Sequence, residues 1–158
     1  MMVCRCMVSL LLTAAVFLTG CAGPRYEGHK DSPYTIRGVR YNPMSPRQAV
    51  GYGETGTASH YKAGFLFFPG KTAIGEKIYP WSHGAAHKTL PLPARVRVTN
   101  LENGRRVTVR VNDRGPFIPG RIIDVTAATA KKLGFYENGL APVSVEVLSV
   151  GDGRYRVR

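Results

Sequence analysis

Three polar residues, far apart in the chain, carry the chemistry this sequence could do. They are Glu76 in Thr72-Ala73-Ile74-Gly75-Glu76, His87 in Ala85-Ala86-His87-Lys88-Thr89-Leu90-Pro91, and Asp113 in Asn112-Asp113-Arg114-Gly115-Pro116. Asp113 continues the parity of Val107, Val109 and Val111, which puts its carboxylate on the apolar side of a strand that Gly115-Pro116 ends. A carboxylate at such a rim is partly desolvated, which raises its pKa and suits it to donate a proton. Arg114 would oppose that shift if it folded over the acid. An aspartate that merely caps the Gly-Pro turn explains the position slightly better on position alone. Glu76, after a glycine in a polar loop, reads by itself as an exposed acid. His87, among small apolar residues, reads as a satisfied structural histidine. His60 and His83 add imidazoles, but no spacing links them to carboxylates as metal ligands would be. No metal and no cofactor is therefore expected. There is no G-x-S-x-G elbow and no phosphate-binding glycine loop.

The elements that must hold these residues are short strands. Ala94-Arg95-Val96-Arg97-Val98-Thr99 and Arg106-Val107-Thr108-Val109-Arg110-Val111 both alternate valine with polar residues, and Glu102-Asn103-Gly104 lies between them. The pattern predicts a hairpin with one aliphatic face and one face carrying Arg95, Arg97, Arg106 and Arg110. Those arginines read equally as a solvated face or as contacts for an anionic ligand. A third strand is expected over Arg121–Val125. Thr126 then reads as the N-cap of a helix through Leu133, with Gly134 at its C-terminal end. Pro142–Leu148 alternates as a last strand. A mostly β domain with short strands and one small helix indicates a barrel or sandwich.

The N-terminus has an address. An apolar run from Met7 to Thr19, preceded by Arg5, ends in Leu18-Thr19-Gly20-Cys21. It is too short to span a bilayer comfortably, which takes about 20 apolar residues. Small residues before a cysteine read as a bacterial lipoprotein signal over 1–20, with lipid on Cys21. Ala22, rather than aspartate, after that cysteine favours the outer membrane. Cys4 and Cys6 would leave with the signal, so no disulfide or cysteine nucleophile is expected in the mature chain. The formal charge of +12 falls only by that of Arg5 when the signal is removed. Such a surface suits an acidic partner. For an exported lipoprotein, peptidoglycan and anionic lipid fit and nucleic acid does not. Residues 21–50, rich in Pro, Gly, Arg and Tyr without periodicity, read as a tether. Residues 51–150 read as one domain and 151–158 as a short basic tail.

The ordered set of segments resembles the rare lipoprotein A (RlpA-like) family. It comprises Gly56-Thr57-Ala58-Ser59-His60-Tyr61, Thr72–Glu76, Ala85–Pro91, Val96–Gly104, Val109–Pro116 and Gly120-Arg121-Ile122-Ile123-Asp124-Val125. The lead-in Pro33–Gly38 and Tyr41–Pro43 also matches. The resemblance implies a mainly β fold, a six-stranded double-psi β-barrel with one or two short helices. It implies a lytic transglycosylase acting on peptidoglycan glycan strands stripped of stem peptides, leaving 1,6-anhydro ends. Carried over by position, Asp113 falls on the acid/base, Glu76 on a second acidic residue and His87 on the histidine beside it. Tyr61, Trp81 and Arg114 are the substrate-binding residues expected in this chain. The family usually has Trp at position 60 and Asn at position 74, where this chain has His60 and Ile74. Many members also carry a SPOR-type repeat domain, for which no segment is seen here. Non-catalytic wall binding and expansin-like wall loosening are the competing functions.

Overall fold

The computed structural model describes residues 30–62, 70–151 and 155–156. The lipoprotein signal, Cys21 and residues 22–29 of the expected tether lie outside them. In chain order the elements are β1 (Tyr34–Ile36), β2 (Val39–Tyr41), α1 (Pro46–Ala49), β3 (Gly53–Tyr61), β4 (Gly70–Lys71), β5 (Lys77–Ile78), β6 (Ala85–His87), β7 (Ala94–Asn100), β8 (Arg106–Asp113), β9 (Arg121–Thr126), α2 (Ala127–Leu133), β10 (Leu140–Val150) and β11 (Tyr155–Arg156).

Six strands pair in the order β10-β3-β9-β6-β8-β7, and β7 pairs back onto β10 to close the barrel. The β3–β9 and β6–β8 pairs are parallel and the rest antiparallel. This is the expected double-psi barrel. Closure leaves no free barrel edge, so every strand finds backbone partners on both sides. Alternation fills the interior: Val96, Val98, Val109, Val111, Ile123, Val125, Val143, Val145 and Val147 are all buried.

The arginine hairpin is present, with Arg95 opposite Arg110 and Thr99 opposite Arg106. Its connection is built by asparagines. Asn100 Oδ1 accepts from Glu102 N, Asn103 Oδ1 accepts from Arg105 N, and Gly104 supplies φ 71°. Asn100 and Asn103 also donate to the carbonyl of Leu133 at the end of α2, at 3.1 and 3.0 Å. That satisfies an orphan helix carbonyl.

The helix α2 is capped as its sequence indicates. The Thr126 hydroxyl accepts from Thr129 N, and Gly134 closes the helix with φ 78°. The same buried hydroxyl accepts from Gly84 N. Thr126→Ala is expected to cost about 1 kcal/mol and to lower Tm by roughly 4–8 °C. Calorimetry reads this directly, and an unchanged Tm would mean that the cap contributes nothing.

Part of the stretch read as tether is folded. Residues 30–50 form the β1–β2 hairpin and the Pro46-initiated α1, whose N-cap Ser45 is paired with Gln48. Lys30 exchanges backbone hydrogen bonds with Leu92 at 2.6 and 3.0 Å, and Met44 N donates to Thr89 O. The periodicity is missing because three-residue strands held by aromatic and main-chain contacts carry no hydrophobic repeat. Within the tail, β11 pairs with Ser149 and Val150 of β10.

Candidate active site

The site forms where β8 ends. The parity that put Asp113 on the apolar side is broken by a bulge: Ala85 of β6 pairs with Val111 and the next residue, Ala86, pairs with Asp113. Two residues of β8 therefore oppose one of β6, and Asp113 leaves the core side. Ala86 also pairs with Asp124 of β9, and Asp124 pairs with Ser59 of β3. Ser59, Asp124, Ala86 and Asp113 thus form one row across four strands on one face. The two acids are separated by two strand spacings, about 10 Å of backbone, with Ala86 on the strand between them.

Asp113 is half-buried. Its Oδ1 accepts from Ala73 N at 2.9 Å and from Arg114 N at 2.8 Å. Burial nevertheless raises its pKa above the usual aspartate value, outweighing those two bonds and the charge of Arg114. Glu76 is pushed the other way. Burial would raise it, but Arg110 at 2.7 and 3.3 Å and Asn112 Nδ2 at 2.8 Å hold it below the ordinary glutamate value. Both acids bear on one loop, 72–76: Asp113 grips its Ala73 amide, and Glu76 ends it, anchored to β8. The loop closes on itself through Thr72, whose hydroxyl accepts from Glu76 N at 3.1 Å.

His87 is buried, with both ring nitrogens engaged. Nδ1 accepts from Thr89 N and Leu90 N at 3.1 and 3.0 Å, and Nε2 bonds the Glu54 carboxylate. Two amides pointing at Nδ1 fix the proton on Nε2, which donates to Glu54. On β6, His87 pairs with Ile123 on the core side, one residue past the row that carries Asp113. Arg114 does not fold over Asp113. Its guanidinium donates to the carbonyls of His87, Lys88, Leu90 and Lys30, and lies 5.1 Å from the centre of the Tyr34 ring.

Tyr61 has a buried hydroxyl with no hydrogen-bond partner among the described residues. Its pKa is raised by burial and then by the charges of Asp113 and Asp124. That places the phenol in the field of both acids. Trp81 is 58% exposed and stacks on Tyr79 at 5.1 Å, nearly parallel. His60, at the family's Trp position, stacks on Tyr136 at 4.8 Å and bonds its carbonyl. This position packs against the segment after α2. Ile74, at the family's Asn position, packs against the core.

Asp124 is the residue sequence reasoning missed. It is half-buried, bonded by the Ser59 hydroxyl, which also accepts from Arg121 at 3.2 Å. The signal was present: Asp124 is a lone acid in the Arg121–Val125 strand, at the parity opposite Ile123 and Val125.

The family model described as lytic transglycolase matches residues 53–145. The endolytic peptidoglycan transglycosylase RlpA of Pseudomonas aeruginosa strain UCBPP-PA14 is 54% identical over 117 residues, covering 74% of this chain and 33% of that protein. The protein of the same name from Neisseria meningitidis serogroup A is 49% identical over 118 residues, 75% of this chain and 48% of that protein. That of Campylobacter jejuni is 39% identical over 170 residues, 91% of this chain and 60% of that protein. The chain thus spans from 33% to 60% of the length of these relatives. Among solved structures, the Streptomyces papain inhibitor shares the fold, with a TM-score of 0.50, 24% identity and coverage of 62% of this chain and 96% of that one.

Proposed function

The chain belongs to the lytic transglycolase family of double-psi β-barrels, and from that premise we propose that it is an endolytic peptidoglycan transglycosylase. The substrate is a glycan strand, stripped of stem peptides, and the bond cleaved is the β-1,4 link from N-acetylmuramic acid to N-acetylglucosamine. The observation that carries this reading is the placement of two carboxylates around one loop: Asp113 half-buried and bonded by the Ala73 and Arg114 amides, Glu76 locked to Arg110 and Asn112, surroundings that raise the first pKa and lower the second. Environments that push two acids apart mark the proton donor and the group that stays ionised.

The reaction needs two proton transfers through one carboxyl group, one out and one in. Asp113 as the acid protonates the leaving glycosidic oxygen, and the bond to C1 of the muramyl residue breaks with oxocarbenium character. The resulting Asp113 carboxylate then takes the proton from the muramyl C6 hydroxyl as that oxygen attacks C1. The products are a 1,6-anhydro end and a new 4-hydroxyl end, and Asp113 is again protonated. No water is consumed. Glu76, paired with Arg110, fixes the loop whose Ala73 amide holds Asp113. Asp124 lies in the same row as Asp113, adding negative charge on the face where the cation develops, and the Tyr61 phenol lies in the field of both acids. Trp81 supplies a stacking face for a sugar, while His87 acts by ordering the 88–90 turn.

We also place the enzyme on a bacterial membrane, anchored by lipid on Cys21, with the outer membrane favoured by Ala22. The test is mass spectrometry of stem-free glycan strands incubated with the protein. New anhydro-muramyl ends support the proposal. Strands left intact but retained in a pull-down would leave a wall-binding module instead. Reducing ends formed with uptake of water would make it a hydrolase.

A further inference from the structure

Asp113 and Arg114 are adjacent residues, and an arginine side chain is long enough to fold back onto the acid beside it. Such a pair would hold the acid ionised, since an opposite charge at contact lowers a carboxylate pKa by about 1–3 units. Here the guanidinium is turned away. Nη1 reaches the turn carbonyls of His87, Lys88 and Leu90, and Nη2 donates to the Lys30 carbonyl at 3.1 Å. The guanidinium charge lowers the Asp113 pKa less than the two backbone hydrogen bonds do.

Several of the anchors come from the N-terminal segment. The Tyr34 ring lies 5.1 Å from the guanidinium carbon and stacks on Tyr41 at 5.2 Å, with Phe117 packed edge-on against Tyr34 at 6.3 Å. The Tyr34 hydroxyl donates to the Lys88 carbonyl at 2.7 Å, tying the segment to the turn that also receives Arg114. Asp31 adds a negative charge that favours the guanidinium. Lys30 pairs with Leu92 through its backbone and donates from Nζ to the Ala73 carbonyl at 3.3 Å. That peptide neighbourhood includes the amide that grips Asp113.

We propose that residues 30–41 are a positioning element of the active site: Tyr34 and the Lys30 carbonyl hold the Arg114 guanidinium off the Asp113 carboxylate, leaving the acid free to carry a proton. Tyr34 acts through Arg114 and touches neither substrate nor the reacting atoms. The functional weight of this device rests on the acid role proposed above for Asp113; the device itself does not.

The other ionisable groups around Asp113 have partners of their own. Glu76 of the 72–76 loop is tied to Arg110, His87 of β6 to Glu54, Asp124 of β9 to Ser59, and the Lys88 ammonium to the Arg121 carbonyl. Tyr61 of β3 stays protonated, its pKa raised. Lys30 belongs to the segment itself. Loosening Tyr34 therefore changes the charge near Asp113 chiefly through Arg114.

The experiment is a carboxyl carbon NMR titration of Asp113 in the purified full chain, comparing wild type, Tyr34→Ala and Tyr34→Ala with Arg114→Gln. In Tyr34→Ala the Asp113 midpoint is expected to fall by about one pH unit, and adding Arg114→Gln is expected to reverse the fall. No shift in Tyr34→Ala, or a fall that survives Arg114→Gln, would overturn the proposal. The titration needs no turnover, so it separates failure of this device from failure of the transglycosylase reading. If glycan is cleaved, the alkaline limb of kcat/KM should move with the midpoint. A merely structural Tyr34 would lower the rate at all pH values without moving that limb.

Discussion

Asp113→Asn is expected to lower the rate of anhydro-end formation by about 10³-fold, with glycan still bound. Asparagine keeps the Oδ1 that accepts from Ala73 N and Arg114 N, so the 72–76 loop keeps its grip and the barrel its stability. What is lost is the proton. An amide cannot donate it to the glycosidic oxygen, and the neighbouring acid cannot substitute: Glu76 is held ionised by Arg110 and Asn112. The measurement is single-turnover product release by mass spectrometry, with Kd from pull-down and Tm from calorimetry alongside. Loss of turnover with Kd and Tm preserved supports Asp113 as the acid. Turnover within tenfold of wild type would remove it from that role and direct attention to Asp124, the other carboxylate of the row.

The second large effect is on stability. His87→Leu should destabilise the fold by about 2–4 kcal/mol, because the Thr89 and Leu90 amides lose their acceptor and Glu54 its donor while apolar volume is kept. For a domain of this size that is a fall in Tm of roughly 10–20 °C. Each unsatisfied group carries the desolvation cost it was folded to avoid. A histidine that served chemistry alone would give the opposite pattern, lost turnover at unchanged Tm. Thermal melts of the purified variant decide between them, and an unchanged Tm would overturn the structural role given to His87 here.

Local patterns in the sequence translated into structure where the partners are close in the chain. The Val-Arg alternation with Asn103-Gly104 became the β7–β8 hairpin, and Thr126 and Gly134 bracket α2. Long-range pairing left no such trace. The parallel β3–β9 and β6–β8 ladders join segments whose sequences do not mark each other, and the bulge at the end of β8 reversed the side on which Asp113 lies. Glu76 and His87 looked unremarkable because their partners, Arg110, Asn112 and Glu54, are distant in sequence. Asp124 sat inside a quoted motif but gained meaning only when Ala86 brought it into the row with Asp113. Residues 30–41 resisted reading because their anchors are main-chain bonds and aromatic contacts, neither of which has a period.

Lys30, the first described residue, is bonded to the barrel and also fixes a length. Nine residue steps separate it from Cys21, and a peptide spans at most about 3.6 Å per step, so a lipid on Cys21 puts that grip within about 30 Å of the bilayer surface. Because Lys30 sits against Arg114 and the Asp113 loop, the leash ends beside the reacting groups and not at the far side of the domain. A transglycosylase anchored in that way would be a short-range cutter, confined to the layer of wall nearest its membrane. Lengthening 22–29 with flexible residues would extend that layer.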